Sequence, residues 1–299
     1  MRRNPKTLIG LILSLIFATE IIGNGADQTG KGKFYIVGMG TAADLITIRG
    51  VEVIKSSDIV LVASEQEKEI WRDYVKNKEV WSCPDSLRIM YGQDPRTIQN
   101  PRVREVAENA AKIRRELADR IRAAVEQGKV VAFLQGGDPM MYGQTFLLEL
   151  LPKDLPSEIV PGIGALQAAS AAVKMSPPYG YDTSGVILTM ADWPGRVDSN
   201  EKLMASGSTM VFYTMFFDYP LVFSQLQRHY PAGTPVAVVI DAGDRATQKV
   251  VRSTVGRFLE EVDYKNFPAE RHLLLVGKFL NVGQARKNGV SEIEKQHSK

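Results

Sequence analysis

Residues 34–64, FYIVGMGTAADLITIRGVEVIKSSDIVLVAS, decide the fold class. FYIVGMG is an apolar run ending in a glycine turn, DLITIRGVEVIKSS reads as a helix leaving that turn, and DIVLVAS is a second buried run. Strand, tight turn, helix and strand make the unit from which parallel α/β sheets are built. The alternation continues downstream. Val103, Val106, Ala110, Ile113, Leu117, Ile121 and Ala124 recur at steps of three and four, which predicts an amphipathic helix over 101–127 stopped by Gly128. KVVAFLQ (129–135) reads as the next strand, 143–151 as a helix and SEIVPG (157–162) as another strand. ALQAASAAVKM (165–175) is helical and so rich in small residues that it should pack closely against a neighbour.

A second series follows, with strands near 185–190, 208–214, 235–240 and 272–279, a helix near 219–229, and a strand-like VVRSTVGRF at 250–258. Between the two series lies 175–184, where Pro177, Pro178, Gly180 and Asp182 read as a hinge. The expected organisation is a leader and linker over 1–33, an N-terminal α/β domain over 34–176, a C-terminal α/β domain over 177–285, and a charged tail over 286–299 without a core pattern.

The 299 residues are 44% hydrophobic and 24% charged, with 25 Gly and 15 Pro, which excludes disorder, collagen-like repeats and coiled coil. The whole chain carries a formal charge of +3. Residues 1–33 account for all of it, since Arg2, Arg3, Lys6, Lys31 and Lys33 face only Glu20 and Asp27. The remainder is balanced at thirty-two basic against thirty-two acidic residues, so nothing points to a nucleic-acid partner. The single Cys83 forbids an intrachain disulfide and a Cys-cluster metal site, and His229, His272 and His297 are far apart in sequence. No metal is expected. Cys83, with no adjacent cation, is expected to be inert.

Residues 1–6 are basic and Leu8–Ala18 (LIGLILSLIFA) is an apolar run too short for a comfortable membrane span. This pattern implies export to the periplasm or cell envelope, by a signal cleaved near Gly23-Asn24-Gly25 or by an uncleaved anchor, with the membrane touched only there. A buried N-terminal helix is the alternative.

Three glycine loops leave strands. Gly38-Met39-Gly40-Thr41-Ala42-Ala43 fits G-x-G-x-x-A, with Glu65 near the place of a ribose-binding acid, so a dinucleotide site and a purely structural turn both stay open. Gly136-Gly137-Asp138-Pro139-Met140-Met141-Tyr142-Gly143 places two glycines where backbone can approach a ligand, or forms a turn capped by Asp138. Val160-Pro161-Gly162-Ile163-Gly164-Ala165 leaves its strand in the same manner. In one parallel sheet the three would meet at the edge where carboxyl ends gather.

Taken in order, these motifs resemble the tetrapyrrole (corrin and porphyrin) methylases, class III S-adenosylmethionine-dependent methyltransferases, a family that also contains diphthine synthase. The resemblance is carried by VGMGTAADLITIRG, by GGDPMMYG at 136–143, by VPGIGA at 160–165, by TMVFY at 209–213, by PVAVV at 235–239 with VVRST at 250–254, and by LLLVG at 273–277. It implies two α/β domains, S-adenosyl-L-methionine in the cleft between them, a methyltransferase activity and a homodimer. It places cofactor contacts at Thr41, at Gly136, Gly137, Asp138, Pro139, Met141 and Tyr142, at Gly164 and Ala165, and at Thr214, Ala237 and His272. No individual catalytic residue is assigned, since methyl transfer rests mainly on alignment.

A carboxylate-rich tetrapyrrole acceptor calls for arginine forks, and Arg88, Arg96 and Arg102 in the loop before the long helix are the candidates; solvated loop charges are the ordinary alternative. Trp193, Pro194 and Arg196 form a second candidate lip. Two features depart from the family pattern. The first turn reads Gly40-Thr41-Ala42-Ala43-Asp44, shorter than G-P-G-D-P, and Thr214 stands where many members place methionine. Export of an enzyme whose cofactor is cytosolic is a further departure, and it keeps open an exported non-catalytic tetrapyrrole or corrinoid binder. A dinucleotide-dependent enzyme is the remaining alternative.

Overall fold

In the computed structural model the protein is described over residues 32–88, 91–179, 183 and 185–281. The leader, its cleavage region and the tail from 286 lie outside the described residues. Among the described residues no helix is long and apolar enough to cross a membrane.

The chain builds two five-stranded sheets. The first uses β1 (Lys33–Gly38), β2 (Ile59–Val62), β3 (Glu79–Ser82), β4 (Val130–Gln135) and β5 (Ser157–Val160) in the order β3-β2-β4-β1-β5, and every pairing is parallel. Parallel neighbours need helical crossovers, and these cover both faces. On one face α4 (Pro101–Glu126) packs Leu117 and Ile121 on Phe34, Ile36 and Phe133. On the other, α1 (Ile48–Ser56) and α3 (Arg72–Val75) pack Val53, Ile54 and Val75 on Val37, Val60 and Leu134. Between β2 and α3 lies the short α2 (Glu65–Ile70).

Three helices differ in detail from the sequence expectation. Helix α1 starts at Ile48, not Asp44, because the Thr47 hydroxyl caps it by accepting from the Gly50 N–H at 3.0 Å. Helix α4 has the expected bounds, with the Asn100 side chain accepting from the Arg102 and Val103 amides and Pro101 in the first turn. Its buried face, however, is turned away from Val106, which is 63% exposed, toward Ala107, Ala118 and Arg114. The 85–91 loop explains this: Arg114 donates to the Leu87 carbonyl at 2.7 Å and stacks over Tyr91. The 143–151 helix contracts to α5, Phe146–Leu150.

The second sheet contains β6 (Val186–Met190), β7 (Thr209–Tyr213), β8 (Pro235–Ile240), β9 (Lys249–Thr254) and β10 (His272–Val276), ordered β6-β7-β10-β8-β9. Only β6 and β7 run parallel; the other pairings are antiparallel. One face is covered by α7 (Asn200–Met204), α8 (Tyr219–His229) and α9 (Phe258–Glu261), the other by α6 (Ala165–Val173). The small residues of α6 do what their size suggests: Ala168 and Ala169 lie flat on Val211, Ala237, Val239 and Leu275. A helix that follows the first sheet in sequence thus packs on the second, and Arg252 reinforces it by donating to the Val173 carbonyl at 3.2 Å.

Candidate active site

The three glycine loops converge. Gly40 and Gly137 form a two-way bridge, the Gly137 amide donating to the Gly40 carbonyl at 2.7 Å and the Gly40 amide to the Gly137 carbonyl at 3.2 Å. A Cβ on Gly38 would run into the backbone of Gly162, and one on Gly162 into the carbonyl oxygen of Gly137, so the third loop is locked to the other two by close backbone approach. Gly136 and Gly137 differ in kind: a Cβ on either would meet nothing within 4 Å. Their absent side chains leave open space where the others leave contact.

That space belongs to a cavity of about 570 Å³ walled by both sheets. The first sheet contributes Gly40, Thr41, Gly136, Gly137, Asp138, Met141 and Tyr142, with Ala165 from the start of α6; the second contributes Thr214 and His272. The second loop is held from behind. Gln144 donates its amide to Gln135 Oε1 at 2.8 Å, Arg88 donates to the Tyr142 carbonyl at 2.7 Å, and Tyr142 takes a left-handed φ of 61°. The Tyr142 ring then meets Tyr213 edge-on at 4.9 Å, joining the two halves of the wall.

On the second sheet, Thr214 donates its hydroxyl to the His272 carbonyl at 2.6 Å. His272 stacks on Tyr219 at 6.0 Å and meets Phe267 edge-on at 5.6 Å. Burial holds its imidazole below the usual histidine range, so it is neutral at physiological pH. The Thr41 hydroxyl and the Trp71 indole N–H, on two lining residues, are buried without a protein hydrogen-bond partner. Groups of this kind are paired in most folded proteins.

Several expected residues stand elsewhere. Pro139 is buried inside its loop, Gly164 caps α6, and Ala237 lies fully buried in the middle of β8; none of the three lines the cavity. Arg96 folds back on Asp94 at 2.7 Å, Arg102 is exposed in the first turn of α4, and Arg88 is engaged with the Tyr142 backbone, so the loop arginines are off the cavity wall. Glu65 faces solvent, pairs with Lys68 at 3.1 Å and does not line the cavity. Trp193 is half exposed and covered on one side by the Arg196 guanidinium. Cys83 is buried, with its thiol pushed up to about 12 by burial and by Asp85 and Glu67, as an inert cysteine should be. Among the described residues no cluster of His, Cys, Asp or Glu is arranged to hold a metal ion.

Other wall residues are not among the sequence candidates. Ser64, Glu67 and Trp71 come from α2 and its ends, a segment too short for periodicity. Ser64 accepts from the Glu67 amide while Glu67 accepts from the Ala63 amide at 3.0 Å, a capping arrangement that could have been read from S-x-x-E. Gln66, Asp85, Tyr213, Asp241, Asp244, Glu270 and Arg271 complete the polar part.

The family model for tetrapyrrole (corrin/porphyrin) methylases matches residues 33–259, which takes in all three loops and most of the second sheet. The chain belongs to this family. Among its curated relatives are the siroheme synthase of Hydrogenovibrio crunogenus, 30% identical over 88% of this chain and 52% of the relative, and the cobalt-precorrin-4 C(11)-methyltransferase of Methanocaldococcus jannaschii, 29% identical over 83% and 88%. The chain spans about half the length of the siroheme synthases it matches. Among solved structures, a cobalt precorrin-4 methyltransferase from cobalamin biosynthesis superposes with a TM-score of 0.63 at 24% identity, covering 83% of this chain and 95% of that one. A uroporphyrin-III C-methyltransferase from Thermus thermophilus, solved with S-adenosylhomocysteine, superposes at 0.59 with 18% identity over 84% and 100%. These likenesses establish that the family's two-domain architecture is the fold of this member.

Proposed function

We propose that this chain transfers a methyl group from S-adenosylmethionine to a planar acceptor, tetrapyrrole-like or another small ring compound. The observation that carries the reading is the one cavity onto which open-sided Gly136 and Gly137 converge with Thr41, Asp138 and the Thr214–His272 frame of the second sheet. The donor set fits a nucleoside bearing an amino-acid tail. Backbone at Gly136 and Gly137 can come close to it, and Asp138 offers a carboxylate. When bound, S-adenosylmethionine supplies a methyl group on a sulfonium.

The chain's own part is alignment. The bridge between Gly40 and Gly137 fixes the first wall and the Tyr142–Tyr213 contact ties it to the second, and orientation alone contributes up to about 7 to 11 kcal/mol in favourable reactions. No hydrolytic triad is needed. The basic and apolar leader supports an exported or envelope-anchored enzyme, and family resemblance supports a homodimer. Calorimetric titration with S-adenosylhomocysteine tests the central claim: micromolar binding is expected, weakened about tenfold in Asp138→Ala with an unchanged melting temperature. Absence of heat and of any thermal shift in the wild type overturns it.

A further inference from the structure

The ends of β6 and β7 carry two aromatic side chains that neither core cluster of the second sheet takes up. The strands run parallel with Met190 paired to Tyr213, so the chain leaves both at one edge, about 4.8 Å apart. Tyr213, Thr214 and Met215 at that edge line the cavity. Three residues beyond each paired position stands a large ring, Trp193 after β6 and Phe216 after β7, and these are 54% and 90% exposed. Aromatic rings left in solvent forgo a large burial gain, and apolar surface beside a cavity marks a place of contact.

The backbone holds both rings out. Trp193-Pro194-Gly195-Arg196 is a tight turn with Gly195 at a φ of 85° and the Arg196 amide donating to the Trp193 carbonyl at 3.1 Å. It lays the Arg196 guanidinium against the indole, 5.0 Å from the ring centroid. That guanidinium is itself fixed, pairing with Asp192 at 3.1 Å and Asp198 at 3.0 Å and donating to the Thr189 hydroxyl at 2.9 Å. The exposed surface of the indole therefore lies away from a rigid cation. Phe216 takes a left-handed φ of 56°, a conformation disfavoured for a bulky residue. With Phe216 outside, Met215 reaches the cavity and Phe217 the core, where it meets Phe212 at 5.4 Å and Tyr219 at 4.9 Å.

The first sheet adds Tyr142, half-buried in the cavity wall against Tyr213. Its hydroxyl feels the Trp193 turn: burial raises its pKa, the Arg196 charge lowers it and Asp198 raises it. The turn thus stands beside the cavity opening. Three rings by themselves, at about 150 to 250 Å² each when fully buried, offer less than the roughly 800 Å² that each partner of a stable protein interface contributes. They match the face of one flat ligand better. Stacking acts on a ring face and leaves peripheral acid groups in solvent, so it asks for no arginine fork on the wall.

Resting on the methyltransferase reading above, we infer that Trp193 and Phe216 form the acceptor's platform: a flat ring of tetrapyrrole size stacks on them at the cavity opening. The platform sets the tilt and depth at which the acceptor meets the methyl donor.

The test uses the full-length protein and uroporphyrin III, a flat, water-soluble tetrapyrrole, titrated with and without saturating S-adenosylhomocysteine and read by the shift of the porphyrin absorbance. Trp193→Ala and Phe216→Ala are each expected to weaken porphyrin binding about tenfold and Trp193→Phe less than about threefold, with S-adenosylhomocysteine affinity and melting temperature unchanged in all three. Undiminished porphyrin affinity in the alanine variants overturns the platform. So does a loss of S-adenosylhomocysteine affinity in step with the porphyrin, which is what a merely structural loop would give, and so does a wild-type protein that binds no porphyrin. Sedimentation in parallel covers another occupant: a dimer that dissociates in Trp193→Ala while porphyrin affinity holds makes these rings a contact between copies and overturns the proposal. Should Trp193→Ala fail to fold, Phe216→Ala decides. If S-adenosylhomocysteine does not bind while the porphyrin series behaves as expected, the cofactor reading fails and the platform stands.

Discussion

The two sheets reach the same cavity by opposite routes. In the first sheet every strand is parallel, so all carboxyl ends point to one edge and the loops after β1, β4 and β5 meet there as a consequence of topology. In the second sheet β10 runs against both β7 and β8. Its cavity edge therefore takes the end of β7 at Thr214, the turn after β8 at Asp241, and the beginning of β10 at His272. Parallel topology gathers glycine bends that announce themselves in sequence. Antiparallel topology recruits side chains from starts and ends alike, and no local motif marks them. The first edge supplies close backbone, and the second supplies side chains on a hydrogen-bonded frame.

That contrast can be broken at specific residues. The largest effect is expected at the loop junction, where Gly162→Ala drives a methyl into the Gly137 carbonyl and should destabilise the protein by about 3 kcal/mol, read as a lowered denaturation midpoint. If Gly162→Ala melts like wild type, the loops are not locked by backbone contact. In the second sheet's domain, Arg196 has a side chain only 7% exposed, bonded to Asp192, Asp198 and Thr189. Arg196→Ala should cost about 2 kcal/mol by stranding those partners, with S-adenosylhomocysteine affinity nearly unchanged. A large loss of affinity at unchanged stability would instead place Arg196 in the site.

Gly136→Ala sharpens the comparison within the first edge. Its Cβ points into open cavity, so stability should stay within about 0.5 kcal/mol of wild type. Affinity for S-adenosylhomocysteine should fall about tenfold, or about 1.4 kcal/mol, because the same methyl occupies ligand space. Equal losses of stability for Gly136→Ala and Gly162→Ala would remove the distinction between the two kinds of glycine.

The smallest expected effect concerns His272. Its folded pKa lies below the ordinary value of 6.5, so unfolding takes up a proton at acidic pH. The stability this provides is present above pH 6.5 and is lost as the pH falls through that value, with a slope of at most about 1.4 kcal/mol per pH unit. His272→Gln should flatten that part of the pH–stability curve, and an unchanged slope would assign the titration to another group.

The strands and long helices were legible because their signals are local. Burial on both faces makes β2 and β4 continuous apolar runs, and Asn100, Pro101 and Gly128 bracket α4. Edge strand β3 and helices α2 and α3 were not legible: they are short, half exposed, and owe their conformation to caps and neighbours more than to pattern. The arginines of the 85–102 loop misdirected the reading for a related reason. Sequence shows that three guanidiniums are near each other, not which carbonyl or carboxylate each will find first.

The sequence by itself determined the alternation of strand and helix, the three glycine bends and the family, since each depends on residues within a few positions of one another or on their order. Only the tertiary structure decided which glycines touch backbone and which open on the cavity, and that α6 packs on the second sheet. Those properties depend on distances between residues far apart in the chain, and such distances are set by packing and strand direction, which no single stretch of sequence encodes.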